Sequence, residues 1–157
     1  MKHSKVLYNF LSVKVFLFLS EKRLCPPQWR NFTGFCFFFK KALVAGKSEG
    51  ETLCQQQNGS HLVDIHSKDE NNFVAGLLNE MNGVRRRLAY LGIERVDESL
   101  KWDRDSMNVT YSNWATRQPR GMERCGVIAH DGWWYTTPCE YSTTFPIIIC
   151  KKGKWFS

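Results

Sequence analysis

None of the six cysteines of this 157-residue chain falls in a Cys-x-x-Cys pair, and no His-x₃-His partner follows. A zinc site, which takes Cys and His ligands at such short spacings, is therefore not expected. Long apolar runs are missing as well. The stretch from Val6 to Leu19 is interrupted by Lys14 and is shorter than the roughly 20 residues of a membrane span. No serine or cysteine stands in a recognisable nucleophile motif, and there is no internal repeat or low-complexity segment. An enzyme and a solenoid are thereby disfavoured. Acidic residues are the scarcer charge, 15 against 22 basic, for a net +7. Such a surface steers anionic partners, but without an accompanying motif it does not point to nucleic acid.

The basic residues cluster at Arg85-Arg86-Arg87, at Lys151, Lys152 and Lys154, and at Arg117, Arg120 and Arg124. Other polar groups read as surface. His61, Asp64 and His66 lie on an extended stretch and are taken as exposed, with Asp64 and His66 on one face. His130 adjoins the Asp131-Gly132 turn. The carboxylate pairs Glu94 with Asp97 and Asp103 with Asp105 read as loop solvation.

The cysteines themselves spread from Cys25 to Cys150, as structural disulfides do in an oxidising compartment. Asn31, Asn58 and Asn108 each begin an Asn-x-Ser/Thr triplet, an acceptor for N-glycosylation. Residues 1–24 open with a basic start followed by the apolar stretch and read as a secretory leader. Residues 25–152 form the expected domain, with a tail at 153–157. Together these features predict a secreted, extracellular glycoprotein.

Along the domain, "FCFFF" is a strand-type run after the Thr33-Gly34 turn, giving a hairpin that Cys25 and Cys36 could staple. Ser48 with Glu51, and Ser67 with Glu70, have capping-box spacing and predict two helix starts. Asn58-Gly59 and Asn82-Gly83 stop those helices. Phe73, Val74, Leu77, Leu78 and Met81 recur at helical spacing. Beyond Arg87, "RLAYLGI", "MNVTYSNW", "RCGVIAHDGWWYTTPC" and "FPIIICKK" read as short strands. Two helices followed by strands predict an α+β fold, the helices flanking small antiparallel sheets.

This order of elements, with the six cysteines, resembles the C-type lectin-like domain in its long form. "YLGI" (Tyr90 to Ile93) is similar to the family's Trp-Ile-Gly-Leu motif, and Trp102 and Trp114 sit where it places core tryptophans. The resemblance implies the disulfides Cys25–Cys36, Cys54–Cys150 and Cys125–Cys139 around a long loop region. Counting alone leaves fifteen pairings.

In sugar-binding members of that family, one loop supplies Glu-Pro-Asn or Gln-Pro-Asp and a nearby Glu, and the next strand supplies Asn-Asp after a Trp, all around one calcium ion. Here Gln118 and Pro119 match the first two positions, and the family's cis peptide is expected before Pro119. Glu123 matches the nearby Glu, and Trp134 the Trp. Arg120, Tyr135 and Thr136 depart from the pattern. Calcium takes 6–8 hard oxygen ligands, whereas an arginine has five donors and no acceptor. No metal or cofactor is therefore expected. Arg120 is instead expected to pair with Glu123 and organise the loop.

The resemblance then implies a secreted binding module for a glycan or an extracellular protein; the departures at Arg120, Tyr135 and Thr136 imply that it acts without calcium, and the neighbouring arginines suit an anionic glycan. Its candidate ligand-binding residues are Arg117, Gln118, Arg120, Glu123, Arg124, Trp133 and Tyr135; Trp134 is assigned to the core. Two alternatives stay open at this stage. One is a calcium-dependent lectin recruiting Glu123, Asp131, Glu140 or backbone carbonyls. The other is a basic protein acting on anionic membranes, which lacks the amphipathic basic helix expected of it. Oligomeric state is not legible.

Overall fold

The computed structural model describes residues 25–153; residues 1–24, expected to be a leader, and residues 154–157 lie outside them. In chain order the elements are β1 (Arg30–Phe32), β2 (Phe35–Gly46), α1 (Lys47–Gln56), β3 (His61–Leu62), α2 (Lys68–Asn79), β4 (Leu88–Val96), β5 (Ser99–Trp102), β6 (Cys125–Ala129), β7 (Trp134–Thr137) and β8 (Glu140–Lys152). They form two four-stranded sheets, β1-β2-β8-β3 and β5-β4-β6-β7, in which neighbouring strands are antiparallel. The α+β class is as expected from the sequence.

The chain closes on itself through β2 and β8, which pair Phe38 with Cys150 and Phe39 with Ile149. Cys150 is also bonded to Cys54 in α1, 96 residues away in sequence. A closed loop of that length removes denatured-state entropy worth about 4–5 kcal/mol in the chain-entropy model. The other disulfides are Cys25–Cys36, at the base of the β1–β2 hairpin, and Cys125–Cys139, under the long loop. The hairpin turns at Thr33 and Gly34, both left-handed (φ 47° and 84°).

Tyr90 to Ile93 are all buried. At Gly92 a side chain has no room, because a Cβ would lie 2.8 Å from the carbonyl oxygen of Leu62. This close approach lets Gly92 N–H donate to Val63 O at 2.9 Å, joining the two sheets. Phe37, Val74, Leu91, Trp102, Trp134 and Ile149 belong to the core filled around that junction.

Helix ends follow the caps in one case of two. Ser67 caps α2, its side chain accepting from Glu70 N, but Glu70 turns its carboxylate to His66 N at 2.8 Å. The expected cap at Ser48 is not formed. Helix α1 starts one residue before Ser48, with Gly46 at the cap and no side-chain hydrogen bond there. The Ser48 hydroxyl instead donates to Glu140 Oε1 at 2.8 Å, while Glu51 accepts from Leu62 N and contacts His61 Nδ1. "MNVTYSNW" is likewise not a named strand; only isolated bridges, Lys101 with Asn108 and Trp114 with Trp134, tie it to the sheet.

One buried and one part-buried charge group correct the reading of these polar residues as solvated. Lys151 is 2% exposed. Its ammonium lies 2.6 Å from Asp64 Oδ1 and 2.5 Å from Glu70 Oε1, and 4.4 Å from the centre of the Phe35 ring. Asp64 is thus the buried partner of a lysine, also approached by His66 and Arg104. Burial alone would raise its carboxyl, but Lys151 by charge and hydrogen bond, helped by His66 and Arg104, holds it below the ordinary value. The second group centres on Lys47, which donates to Glu94 Oε2 and to both oxygens of Asp103 at 2.8 Å. Burial pushes the Asp103 carboxyl up; Lys47 works against this, and Glu94 and Glu51 add to it.

Candidate functional site

Strand β7 pairs with β6 on one side, so its outer edge needs other partners for its backbone groups. The loop after β5 supplies them. Trp134 N donates to Asn113 O at 2.9 Å and Ala115 N to Trp134 O at 3.0 Å, so residues 113–115 lie along β7. Three residues later the side chain of Gln118 takes over, its Oε1 accepting from Thr136 N at 2.9 Å. Between these contacts Arg117 adopts a left-handed backbone (φ 64°), and the Gln118–Pro119 peptide is cis.

Thr136 is the hub of the returning loop. Its hydroxyl lies 2.7 Å from Gln118 Oε1 and 2.6 Å from Glu123 Oε2. It also accepts from Arg120 N at 3.1 Å. A hydroxyl carries one proton and two lone pairs, so that proton is shared between the amide and carboxylate oxygens. The loop from Gln118 to Glu123 is thereby fastened to β7 through three of its residues by a single side chain.

The expected residues therefore divide. Gln118, Glu123 and Thr136 come together, and Arg120 joins them through its backbone. Among the described residues no ion pair links Arg120 to Glu123: the carboxylate turns inward to Thr136, and the arginine stays exposed. In water the missing pair would have contributed little, about 0–1 kcal/mol. Arg124 is drawn away to Glu94, which it shares with Lys47. Tyr135, opposite Val127 in the sheet, packs on a second hydrophobic cluster that includes Tyr90, Val127 and Ile148. Alternation along β7 sets it on the face opposite Thr136.

Trp134 is wholly buried, its indole N–H donating to Asn71 Oδ1 at 2.7 Å. Trp133 is 45% exposed at the β6–β7 turn, where its N–H donates to Asp131 Oδ1. Three residues separate it from Thr136, about 10 Å along an extended strand. Met122, which the sequence reading passed over, is 96% exposed at the loop tip; its only signal was an isolated apolar residue between Gly121 and Glu123. The loop thus presents the guanidiniums of Arg117 and Arg120 and the thioether of Met122 to solvent, with an indole face at the far end of β7. Such groups bind by forked donation, cation–π contact and apolar packing.

Among the described residues, one grouping has ligand atoms close enough to hold a metal: Glu94 with Cys125 and Cys139. The two cysteines are bonded to each other, so they offer no thiolate.

The family model for the lectin C-type domain matches residues 46–152. The chain is 31% identical over 166 residues to human asialoglycoprotein receptor 2, covering 98% of this chain and 50% of the receptor. It is 36% identical over 119 residues to Snaclec 3 of Sistrurus catenatus edwardsii, covering 69% of this chain and 75% of that protein. It spans about half or less of the length of the first curated relatives it matches. Human lithostathine superposes with a TM-score of 0.74 at 20% identity, over 85% of this chain and 94% of the other. The chain belongs to the C-type lectin domain family.

Proposed function

We propose that this chain is an extracellular, non-enzymatic binding module that recognises a glycan or a protein through its long loop without calcium. The observation that carries this reading is the contact set of Thr136. Calcium needs 6–8 oxygens around one point. The side chains at the corresponding loop positions offer one amide oxygen, one carboxylate and one hydroxyl, and the amide and carboxylate oxygens both accept from Thr136. Arg120 contributes a cation and no acceptor. This donor set does not fit a calcium ion, and the loop has hydrogen bonds to hold it in the ion's place.

Recognition falls to the exposed groups. Arg117, Arg120 and Met122 offer charge-assisted donors and a polarisable side chain, and Trp133 offers an aromatic face. That combination suits a carboxylated or sulfated glycan, or an acidic patch on a protein. The disulfides and the three glycosylation triplets, at Asn31, Asn58 and Asn108, support an extracellular setting. All three asparagines are exposed.

The test is a glycan and extracellular-protein array probed with and without a chelator, using the natural chain and a Trp133→Ala/Arg120→Ala variant. The expected result is a ligand retained under chelation and lost by the variant. Binding that vanishes with the chelator would refute the reading.

A further inference from the structure

We propose a second binding surface, separate from residues 117–124 of the long loop, for a linear polysulfated glycan chain: the row formed by Arg30, Lys41, Arg85, Arg86 and Arg87. In sequence the arginine triplet stands apart from the other two residues, and the fold brings them together. Met81 and Val84 pack against the main core, which draws the segment after α2 onto the open face of the β1–β2 hairpin. Within it Gly83 is left-handed (φ 76°), and the Lys41 ammonium lies 3.9 Å from where its Cβ would be. On β1, Arg30 sits 5.8 Å above the Phe39 ring and reaches Glu80 just beyond α2 at 3.1 Å. Arg87 donates to the carbonyl of Asn79, one of the last of α2, at 3.3 Å.

Charge balance distinguishes this row from a solvated face. Between Glu80 and Arg87 the segment carries three arginines and one carboxylate, and that carboxylate is taken by Arg30. Lys41, Arg85 and Arg86 are exposed and, among the described residues, join no ion pair. Arg30 pairs with Phe37, four residues before Lys41, so the row extends about 13 Å along the hairpin at ~3.3 Å per residue. A cationic line of that length matches anions repeated along an extended chain better than a single anion. Guanidiniums grip sulfate and carboxylate oxygens as forks.

The neighbouring surface favours a sulfated glycan over other polyanions. A single-stranded nucleic acid calls for exposed stacking aromatics, and Phe39 is covered by Arg30. A membrane surface calls for a contiguous apolar face. Leu43, the large apolar side chain exposed on β2, stands alone within the irregular stretch between Lys41 and Val44.

The experiment measures binding of a defined heparin oligosaccharide at several salt concentrations. The natural chain should bind with an affinity that falls steeply with salt. Lys41→Ala/Arg85→Ala/Arg86→Ala should weaken binding by about tenfold or more at 0.15 M salt and flatten the salt dependence. Lys41→Arg alone should retain it, and Arg120→Ala/Trp133→Ala, which alters the long loop, should weaken it less than the triple variant does; the two surfaces are thereby told apart. All variants should melt as the natural chain does, because the altered side chains are exposed. Undiminished binding by the triple variant would overturn the proposal. So would binding of a duplex DNA or of anionic phospholipid vesicles as tight as that of heparin, or equal binding of the desulfated oligosaccharide.

Discussion

Glu123 Oε2 lies 2.6 Å from the hydroxyl of Thr136, across the loop that the sequence reading gave to Arg120. A neutral side chain on β7 therefore does the fastening expected of a cation, and the arginine is left for solvent or ligand. Because Thr136 is buried, Gln118 and Glu123 depend on it for a partner there.

Removing that hydroxyl should release the loop. Thr136→Val keeps the size and β-branching but leaves Glu123 Oε2 and Arg120 N without the hydroxyl, while Gln118 Oε1 keeps the backbone N–H of residue 136. An unsatisfied buried polar group costs about 1–3 kcal/mol and these groups are part-buried, so a loss of ~1 kcal/mol in urea unfolding is expected, with faster proteolysis between residues 117 and 124. Thr136→Ser should restore both. A valine variant as stable and protease-resistant as the natural chain would show that the hub holds nothing.

Lys151 joins β8 to the segment after β3 and to α2 through Asp64 and Glu70, and its removal would strand two buried carboxylates. Breaking a buried pair by deleting one partner costs about 3–5 kcal/mol. Lys151→Met should lose that much by denaturant titration. Lys151→Met/Asp64→Leu/Glu70→Leu should recover most of it, since apolar replacement of a whole buried ion group is often neutral. A loss under ~1 kcal/mol in the single variant would mean that water reaches the group.

Acid should expose the same contact. The folded Asp64 carboxyl lies below its ordinary value of 3.8, so below 3.8 the unfolded chain binds more protons and stability falls with pH. The contribution is complete above 3.8 and lost as pH falls through the lower folded value. Asp103, raised above 3.8, works in the opposite sense: its contribution is full below 3.8 and lost as pH rises through the folded value. Melting temperature followed from pH 5 to pH 2 should fall less steeply in Asp64→Asn than in the natural chain. Parallel curves would contradict the assignment.

The elements that sequence made legible are those set by local periodicity and by covalent chemistry. Val74, Leu77 and Leu78 mark α2 by helical spacing, Ser67 caps it, and the cysteine order shared with a known family implied the three pairings found. The buried charges were not legible, because "IIICKK" looks like a strand running out into solvent. The partners that bury Lys151 are Asp64 and Glu70, 87 and 81 positions earlier in the chain. Ser48 misled for a related reason: its hydroxyl has a partner in Glu140, which no local pattern reveals. In the loop, Thr136 was read only as a lost ligand. A short hydroxyl facing an amide and a carboxylate is a connection that a motif comparison counts as an absence.

We propose that hydrogen bonds organise this loop and that it binds no calcium, and calcium titration by calorimetry tests this most directly. The natural chain should give no heat beyond dilution up to millimolar calcium, and its melting temperature should be the same in calcium and in chelator. Arg120→Asn/Tyr135→Asn/Thr136→Asp, which returns three oxygen ligands, should acquire a binding isotherm. A micromolar site in the natural chain, with a melting temperature that rises on adding calcium, would contradict the account.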